Sequence, residues 1–373
     1  MDKQLHIVMH DVPWPADYGG VVDLFYTLTA LHKAGVGIHL HCFTNRRPQQ
    51  TELEKYCVTV HYYRRKTGAA GLSFRLPYIV NSRRNDELIN NLLKDDHPIL
   101  LEGIHSSFYL NSGQLSGRKI FLRLYNVEHE YYRHLAKHEK NPLKKLYYSL
   151  ESRLLKKYEK AVSGKATILP LSTTDLEQYK SLFQPGNISF LPVFLPWQRV
   201  NTVTGNGCFC LYHGNLSVSE NEKAALWLLR EVWQGIDIPL VIAGKDPSQA
   251  LLSYVKDLAN CCVVANPGEN EMQDMIRKAQ VHVLPSFNNT GVKLKLLNAL
   301  FNGRHCLVNE AGVKGSGVET LVEIAGDTTA YRQSVAALYQ QAFSEEDIEK
   351  RAAILSGIYN NDENARRLIA WIY

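Results

Sequence analysis

The chain has 373 residues, 45% of them hydrophobic and 21% charged, with a net charge of +5. This is the balance of a folded globular protein long enough for two cores and too weakly basic to imply nucleic acid by itself. No run of about 18 apolar residues occurs, so no transmembrane helix is predicted, and MDKQLHIVMHDVPWP lacks the regions of a signal peptide and reads as a first strand. The seven cysteines are odd in number and form no C-x-x-C, so reduced buried thiols in a cytoplasmic protein are expected, not a disulfide frame or a zinc site.

Apolar runs of strand length alternate with segments of helical spacing throughout, the pattern of parallel sheets covered by helices. A strand over 5–10 leads through the loop HDVPWPADYGG into a helix on which Val21, Leu24, Phe25, Leu28 and Leu31 share a face, and Gly35 stops it. Ligands of such sheets bind outside the carboxyl ends of the strands, so Gly19 and Gly20 either border a site or serve a tight turn. The loop is not G-x-G-x-x-G and no acidic residue ends the second strand, so a dinucleotide site is not expected.

Further strands are predicted at 37–43, 58–63, 99–102, 120–124, 167–171 and 188–191. Between them, residues 131–165 carry ten Lys or Arg against three Glu, interleaved with Tyr and Leu. This reads as two basic amphipathic helices broken at Asn141-Pro142. Its polar face is either merely solvated or a surface for anionic lipid headgroups. No motif in it supports RNA binding.

Residues 195–206, within a stretch over 191–207 that holds two prolines, two glycines and little periodicity, read as an interdomain linker. A second alternating series follows, with strands at 208–213, 239–243, 262–265, 281–284 and 305–308 and helices at 220–233, 247–258 and 271–278. Its last unit, VHVLPSFNNTGVKLKLLNALFNGRHCLV, predicts a strand, a polar turn, a helix starting near Thr290, a stop at Gly303 and a second strand. Thr290 suits an N-cap, Gly291 admits close approach of a ligand, and Lys293 and Lys295 add positive charge where helix amides already favour anions. A phosphate site is the functional reading; an ordinary capped helix with solvated lysines is the plain one. The two halves are each Rossmann-like, α/β in class.

Taken in order, PADYGG, RLYNVEHEYYRHL, LSTTDLEQY, LYHGNLSVSENEKAALWL, LVIAGKDP and TGVKLKLLNALFNG resemble segments of retaining glycosyltransferases of the GT-B fold, family 4 above all. The resemblance covers nearly the whole chain. It implies two Rossmann-like domains facing a central cleft: an acceptor domain over 1–194, the linker 195–206, and a nucleotide-sugar donor domain over 207–360. The tail 361–373 would cross back to the first domain. It implies transfer of a hexose from a UDP- or GDP-linked sugar to a glycan or lipid-linked acceptor, with no cofactor and no metal. With the cysteine usage, the location expected is cytoplasmic, the basic stretch 131–165 leaving open a peripheral place on the inner face of the membrane, and nucleic acid is not expected as a partner.

The same resemblance assigns residues. Gly291 and Lys293 would face the diphosphate, with Gly19 and Gly20 approaching from the other domain. Gly214 and Asn215 would border the donor, Lys245 would be a further phosphate ligand, and Gly268 would lie by the nucleobase. Thr290 and Asn298 stand where many members carry two glutamates, and Asn298 can still hydrogen-bond a ribose hydroxyl. In the first domain Tyr125 stands where relatives often have a histidine, while Asn126 and Glu128 are kept. Glu102 and His105 are expected at the cleft edge, with His129 as a neighbouring alternative. No Asp-x-Asp occurs, and front-face attack, with the departing phosphate taking the acceptor proton, needs no protein nucleophile. Tyr125, Thr290 and Asn298 also leave open a second reading, a degenerate GT-B binding or scaffold protein.

Overall fold

A computed structural model describes residues 3–45, 47–288 and 290–373. The chain divides into two compact units, Met1–Pro196 with Tyr359–Tyr373, and Trp197–Ile358.

The first unit holds six parallel strands: β1 (Gln4–Met9), β2 (Gly37–Thr44), β3 (Thr59–Arg64), β4 (Ile99–Glu102), β5 (Ile120–Leu124) and β6 (Thr167–Pro170), in the order β3-β2-β1-β4-β5-β6. The strands are nearly continuous apolar runs because helices cover both faces. The helix Gly19–Lys33 packs Leu24, Leu28 and Leu31 against Ile7, Leu40 and Leu100. It ends where Gly35 takes a φ of +80°, a conformation glycine adopts without steric cost. The helix Asn361–Ile372 belongs to this unit and adds Ala365, Leu368, Ile369 and Ile372 to the same core. Asn361 fixes it, its side chain bonding both the amide and the carbonyl of Leu195 at 3.0 and 2.8 Å.

The break at Asn141-Pro142 separates the helices Glu128–His138 and Pro142–Val162, and the Asn141 side chain caps the second through the amides of Leu143 and Lys144. Ser172 caps Thr173–Phe183 by accepting from the Asp175 amide and donating to its carboxylate at 2.6 Å. No strand forms over 188–191. Ile188 bridges Ile168 alone, because β6 ends on Pro170, which has no N–H to continue the ladder.

The second unit repeats the topology with β7 (Cys210–Asn215), β8 (Leu240–Lys245), β9 (Cys261–Ala265), β10 (Val281–Val283), β11 (His305–Val308) and β12 (Glu323–Ile324), all parallel, in the order β12-β11-β10-β7-β8-β9. The two-residue edge strand β12 was too short for a sequence pattern to mark. The helix expected over 220–233 is α-helical at Ser219–Trp227 and widens into a π turn at Leu228–Val232, where the Trp233 amide reaches the Leu228 carbonyl. Residues 201 and 202 pack onto this unit through Phe301 and Gly303. Each sheet reverses its strand order once, between β1 and β4 and between β7 and β10. These points are where open α/β sheets hold ligands.

Candidate functional site

In the second unit a pocket of about 70 Å³ opens at the β7/β10 reversal, lined by Glu220, Asn221, Pro285, Ser286, Phe287, Asn288, Lys293 and Lys295. Its floor is the end of β7, where Lys295 Nζ donates to the Tyr212 hydroxyl and to Asn221 Oδ1, both at 3.2 Å, and lies 4.6 Å from the Tyr212 ring centre. Burial pushes the Lys295 ammonium down to about 7, the nearby Lys293 charge adds to this and Glu220 opposes it. Two lysines thus share one small concave space, an arrangement that an anion between them would relieve.

The pocket wall is the loop after β10. Asn288 Oδ1 accepts from the Thr290 amide and hydroxyl at 2.9 and 2.8 Å, and Lys293 Nζ donates to the Thr290 carbonyl at 2.6 Å. Gly291 has a φ of +65°, so the chain turns here through a conformation that side chains disfavour. The expected helix start near Thr290 is therefore corrected. The turn at Gly291 delays the helix to Leu294–Asn302, and Thr290 bonds Asn288 and caps nothing. Lys293 is the N-cap residue, with no side-chain cap on the first amides. Open amides, a lysine at the cap and a second lysine one residue into the helix make a stronger anion site than a threonine cap would.

Gly214 and Asn215 reach this pocket through Asn221, whose Nδ2 donates to the Asn215 carbonyl at 2.9 Å. The Asn215 side chain is used locally, accepting from the Ser217 amide and hydroxyl. Lys245 pairs in register with Asn215 and is exposed at the end of β8. Gly268 is the exposed N-cap of Glu269–Lys278, one strand further out, with open space around its Cα. Asn298 does not offer its carboxamide oxygen freely, because Oδ1 accepts from Asn302 Nδ2 at 2.9 Å. Lys295 completes the pocket with Glu220, Asn221, Ser286 and Asn288, four residues that sequence reasoning did not select. The signal for Lys295 was its place in the same segment as Lys293.

In the first unit the residues at the β1/β4 reversal are His10, Gly103 and His105. The two imidazoles stack with centroids 5.0 Å apart, and Tyr125 meets His10 edge-on at 5.6 Å. Gly103, at a φ of +80°, gives them room, since a Cβ there would lie 3.0 Å from His105 Nδ1 and 3.4 Å from Tyr125. His105 is partly exposed here. Glu102 is not at an edge: it is fully buried, its Oε2 accepting from the Tyr125 hydroxyl at 2.9 Å and lying 3.4 Å from Arg123 Nε. Burial, opposed by Arg123, moves its carboxyl up to about 7. Arg123 is held in turn by Asp23 at 2.7 and 2.8 Å, and Asp23 accepts the Phe194 amide. Glu102 is therefore a buried member of a structural charge cluster, and the expectation that it lines a cleft is corrected.

Asn126 and Glu128 lie together, Asn126 Nδ2 standing 3.4 Å from Glu128 Oε1. Glu128 opens a helix and is buried, and burial with the neighbouring Glu159 moves its carboxyl up to about 8. Glu159, which the sequence did not single out, is fully buried. It accepts the amides of Glu128 and His129 and the His129 ring at 2.6 Å. That fixes His129 as a structural residue. Gly19 and Gly20 begin a helix whose N-cap Tyr18 makes no side-chain cap. Neither has a positive φ. The preceding loop is closed by Tyr18 on Asp11 and by Arg47 on Val12, Pro15 and Asp17. No helix among the described residues is long and apolar enough to cross a membrane.

Residues 208–341 match the family model Glycosyl transferases group 1. A Klebsiella pneumoniae protein, an uncharacterized 44.6 kDa product of a cps region, is 27% identical over 354 residues, covering 88% of this chain and 89% of that protein. Among solved structures, sucrose-phosphate synthase from Thermosynechococcus elongatus superposes with a TM-score of 0.69 at 13% identity, over 99% of this chain and 98% of that one. TarM superposes with a TM-score of 0.68 at 8% identity, over 100% and 99%. Anabaena HepE, solved with UDP and glucose, gives 0.61 at 10% identity, over 99% and 98%. The two six-stranded units have the GT-B architecture, and residues 208–341 match a glycosyltransferase domain of group 1 type.

Proposed function

We propose that the chain transfers a hexose from a UDP- or GDP-linked sugar to a glycan or lipid-linked acceptor, with retention at the anomeric carbon and without a metal. One observation carries this reading: the β7/β10 pocket joins uncapped helix amides, Lys293, Lys295 and the backbone at Gly291 around a space for an anion. When the glycosidic bond breaks, charge grows on the leaving diphosphate. A prepositioned donor aimed at such charge is worth about 3–4 kcal/mol, and two lysines with a helix terminus supply several. Thr290 fixes Lys293 from one side, while Tyr212 and Asn221 fix Lys295 from beneath, so neither cation must reorganise as the charge forms.

The first unit would take the acceptor. Its helix Pro142–Val162 has a second apolar stripe beside its buried one: Leu143, Leu146 and Leu150 are 77%, 58% and 48% exposed, with Lys144 and Lys145 among them. Exposed leucines framed by lysines suit the surface of an anionic bilayer, and support a lipid-linked acceptor met at the inner membrane face. The cps-region relative supports a role in polysaccharide synthesis. The test is a screen of UDP- and GDP-hexoses with turnover as readout and the product anomer read by NMR. Hydrolysis or transfer from one donor with the anomeric configuration kept is the expected result, and an inverted product would overturn the retaining assignment.

A further inference from the structure

Among the described residues, the first unit contains cationic charge that no carboxylate pairs with. Arg83 is buried, with 5% exposure, and its guanidinium donates only to carbonyls, to His10 O from Nε and Nη2 at 3.1 and 3.0 Å and to Ile79 O from Nη1 at 2.7 Å. These bonds use three of its five N–H groups and leave the charge itself unpaired. Arg65, just past β3, donates from Nε to Ser82 Oγ at 3.0 Å and lies over the Tyr78 ring at 5.4 Å, keeping both terminal nitrogens for another partner. Neither arginine forms an ion pair among the described residues. The acid in the field of Arg83 is Asp11, and its oxygens are taken by the Val12 amide and the Tyr18 hydroxyl.

Both arginines act on the stacked His10 and His105 at the β1/β4 reversal, where burial and then Arg83 hold the rings neutral. His105 Nδ1 is buried and has no hydrogen-bond partner. A buried guanidinium with no counter-ion costs free energy that an anion beside it would offset. The positions are those where a Rossmann-like sheet receives ligand.

We propose that Arg65 and Arg83, with His105 beside them, form a subsite for an oxyanion group on the acceptor, a carboxylate or a phosphate. This rests on the reading that the first unit takes the acceptor, and it narrows the acceptor class to anionic saccharides or sugar phosphates. Arg65 contributes the terminal nitrogens that reach the oxyanion, Arg83 the field behind it, and Tyr78 a stacked support that limits the freedom of Arg65.

The probes are D-glucuronate, glucose 6-phosphate and uncharged glucose, titrated by calorimetry into the full chain carrying Lys293→Ala, which should weaken phosphate binding at the β7/β10 pocket at least tenfold. At least one anionic probe is expected to bind at least tenfold more tightly than glucose. Glucuronate alone would identify a carboxylate, and glucose 6-phosphate alone a phosphate. Adding Arg65→Gln should weaken that binding at least tenfold, and Arg65→Lys should recover part of it. Arg65→Gln in the otherwise native chain should leave UDP or GDP affinity unchanged, which separates this subsite from the donor pocket. Equal binding of glucose and both anions, or unchanged binding in a folded Arg65→Gln chain, would overturn the proposal.

Discussion

His6 Nδ1 lies 2.8 Å from His41 Nε2, and the two rings form the middle of a buried chain of hydrogen bonds. The Asp95 carboxylate accepts from His6 Nε2 at 2.9 Å, so His6 Nδ1 accepts from His41 Nε2–H. His41 Nδ1 then accepts from the Tyr63 hydroxyl at 2.8 Å, and that oxygen accepts from Asn91 Nδ2 at 2.9 Å. In this scheme a further proton on His6 would set two N–H groups against each other, and one on His41 Nδ1 would displace the proton that the Tyr63 hydroxyl donates there.

The chain should therefore be acid-labile. Burial holds His41 down at about 2, and burial also lowers His6 despite Asp95. The unfolded chain binds protons at these rings from about pH 6.5 downward while the folded chain does not, so stability is complete above that pH and falls below it. His41 alone should cost about 1.4 kcal/mol by pH 5.5. Urea unfolding at pH 7.5 and 5.5 should show at least this loss; equal midpoints would contradict the arrangement.

Gly303 carries a packing constraint that composition does not reveal. A Cβ there would lie 1.9 Å from Nε2 of the fully buried His282, whose ring is held by the Ile276 carbonyl at 3.1 Å. Gly303→Ala should destabilise the second unit by about 1–3 kcal/mol, the usual cost of overpacking. Thermal unfolding checks it, and a neutral result would mean His282 moves freely.

How far the sequence could be read followed from where the information was local. The parallel α/β class, eleven of the strands and the Asn141 cap were legible because apolar runs, Gly35 and an Asn-Pro pair act over a few residues. The switch-point segment was located correctly, but its helix start was not, since Asn288 holding Thr290 and the left-handed Gly291 are tertiary facts. Glu102 looked exposed because it ends a strand. Only the structure shows Arg123, 21 positions away, covering it together with Tyr125. Glu159 was invisible for the same reason, as its partners Glu128 and His129 come from another helix.

The proposed membrane contact rests on the exposed leucines. Wild-type chain should sediment with vesicles containing anionic lipid at low salt and release as salt rises. Leu146→Glu, at a position 58% exposed, should abolish sedimentation without changing the melting temperature. Binding that survives the substitution would return the basic helices to a solvated face.

Lys295 gives the β7/β10 pocket a proton signature. With its ammonium near 7, it is largely neutral at pH 8.5, and a bound diphosphate should restore its charge. Nucleotide affinity should therefore fall as pH rises from 6 to 8.5. Calorimetry at pH 8 in buffers of different ionisation enthalpy should show proton uptake on binding, and no buffer dependence would remove Lys295 from the site.

The central claim is that cationic side chains and helix amides at the β7/β10 pocket hold the diphosphate of a nucleotide sugar. Its most direct measurement is the affinity of UDP, GDP and their hexose derivatives for the native and Lys293→Ala chains, in EDTA. At least one nucleotide should bind the native chain and lose at least tenfold in affinity, about 1.4 kcal/mol, in the folded variant. Equal affinity in both chains, or no binding by any nucleotide of the set, would contradict the account.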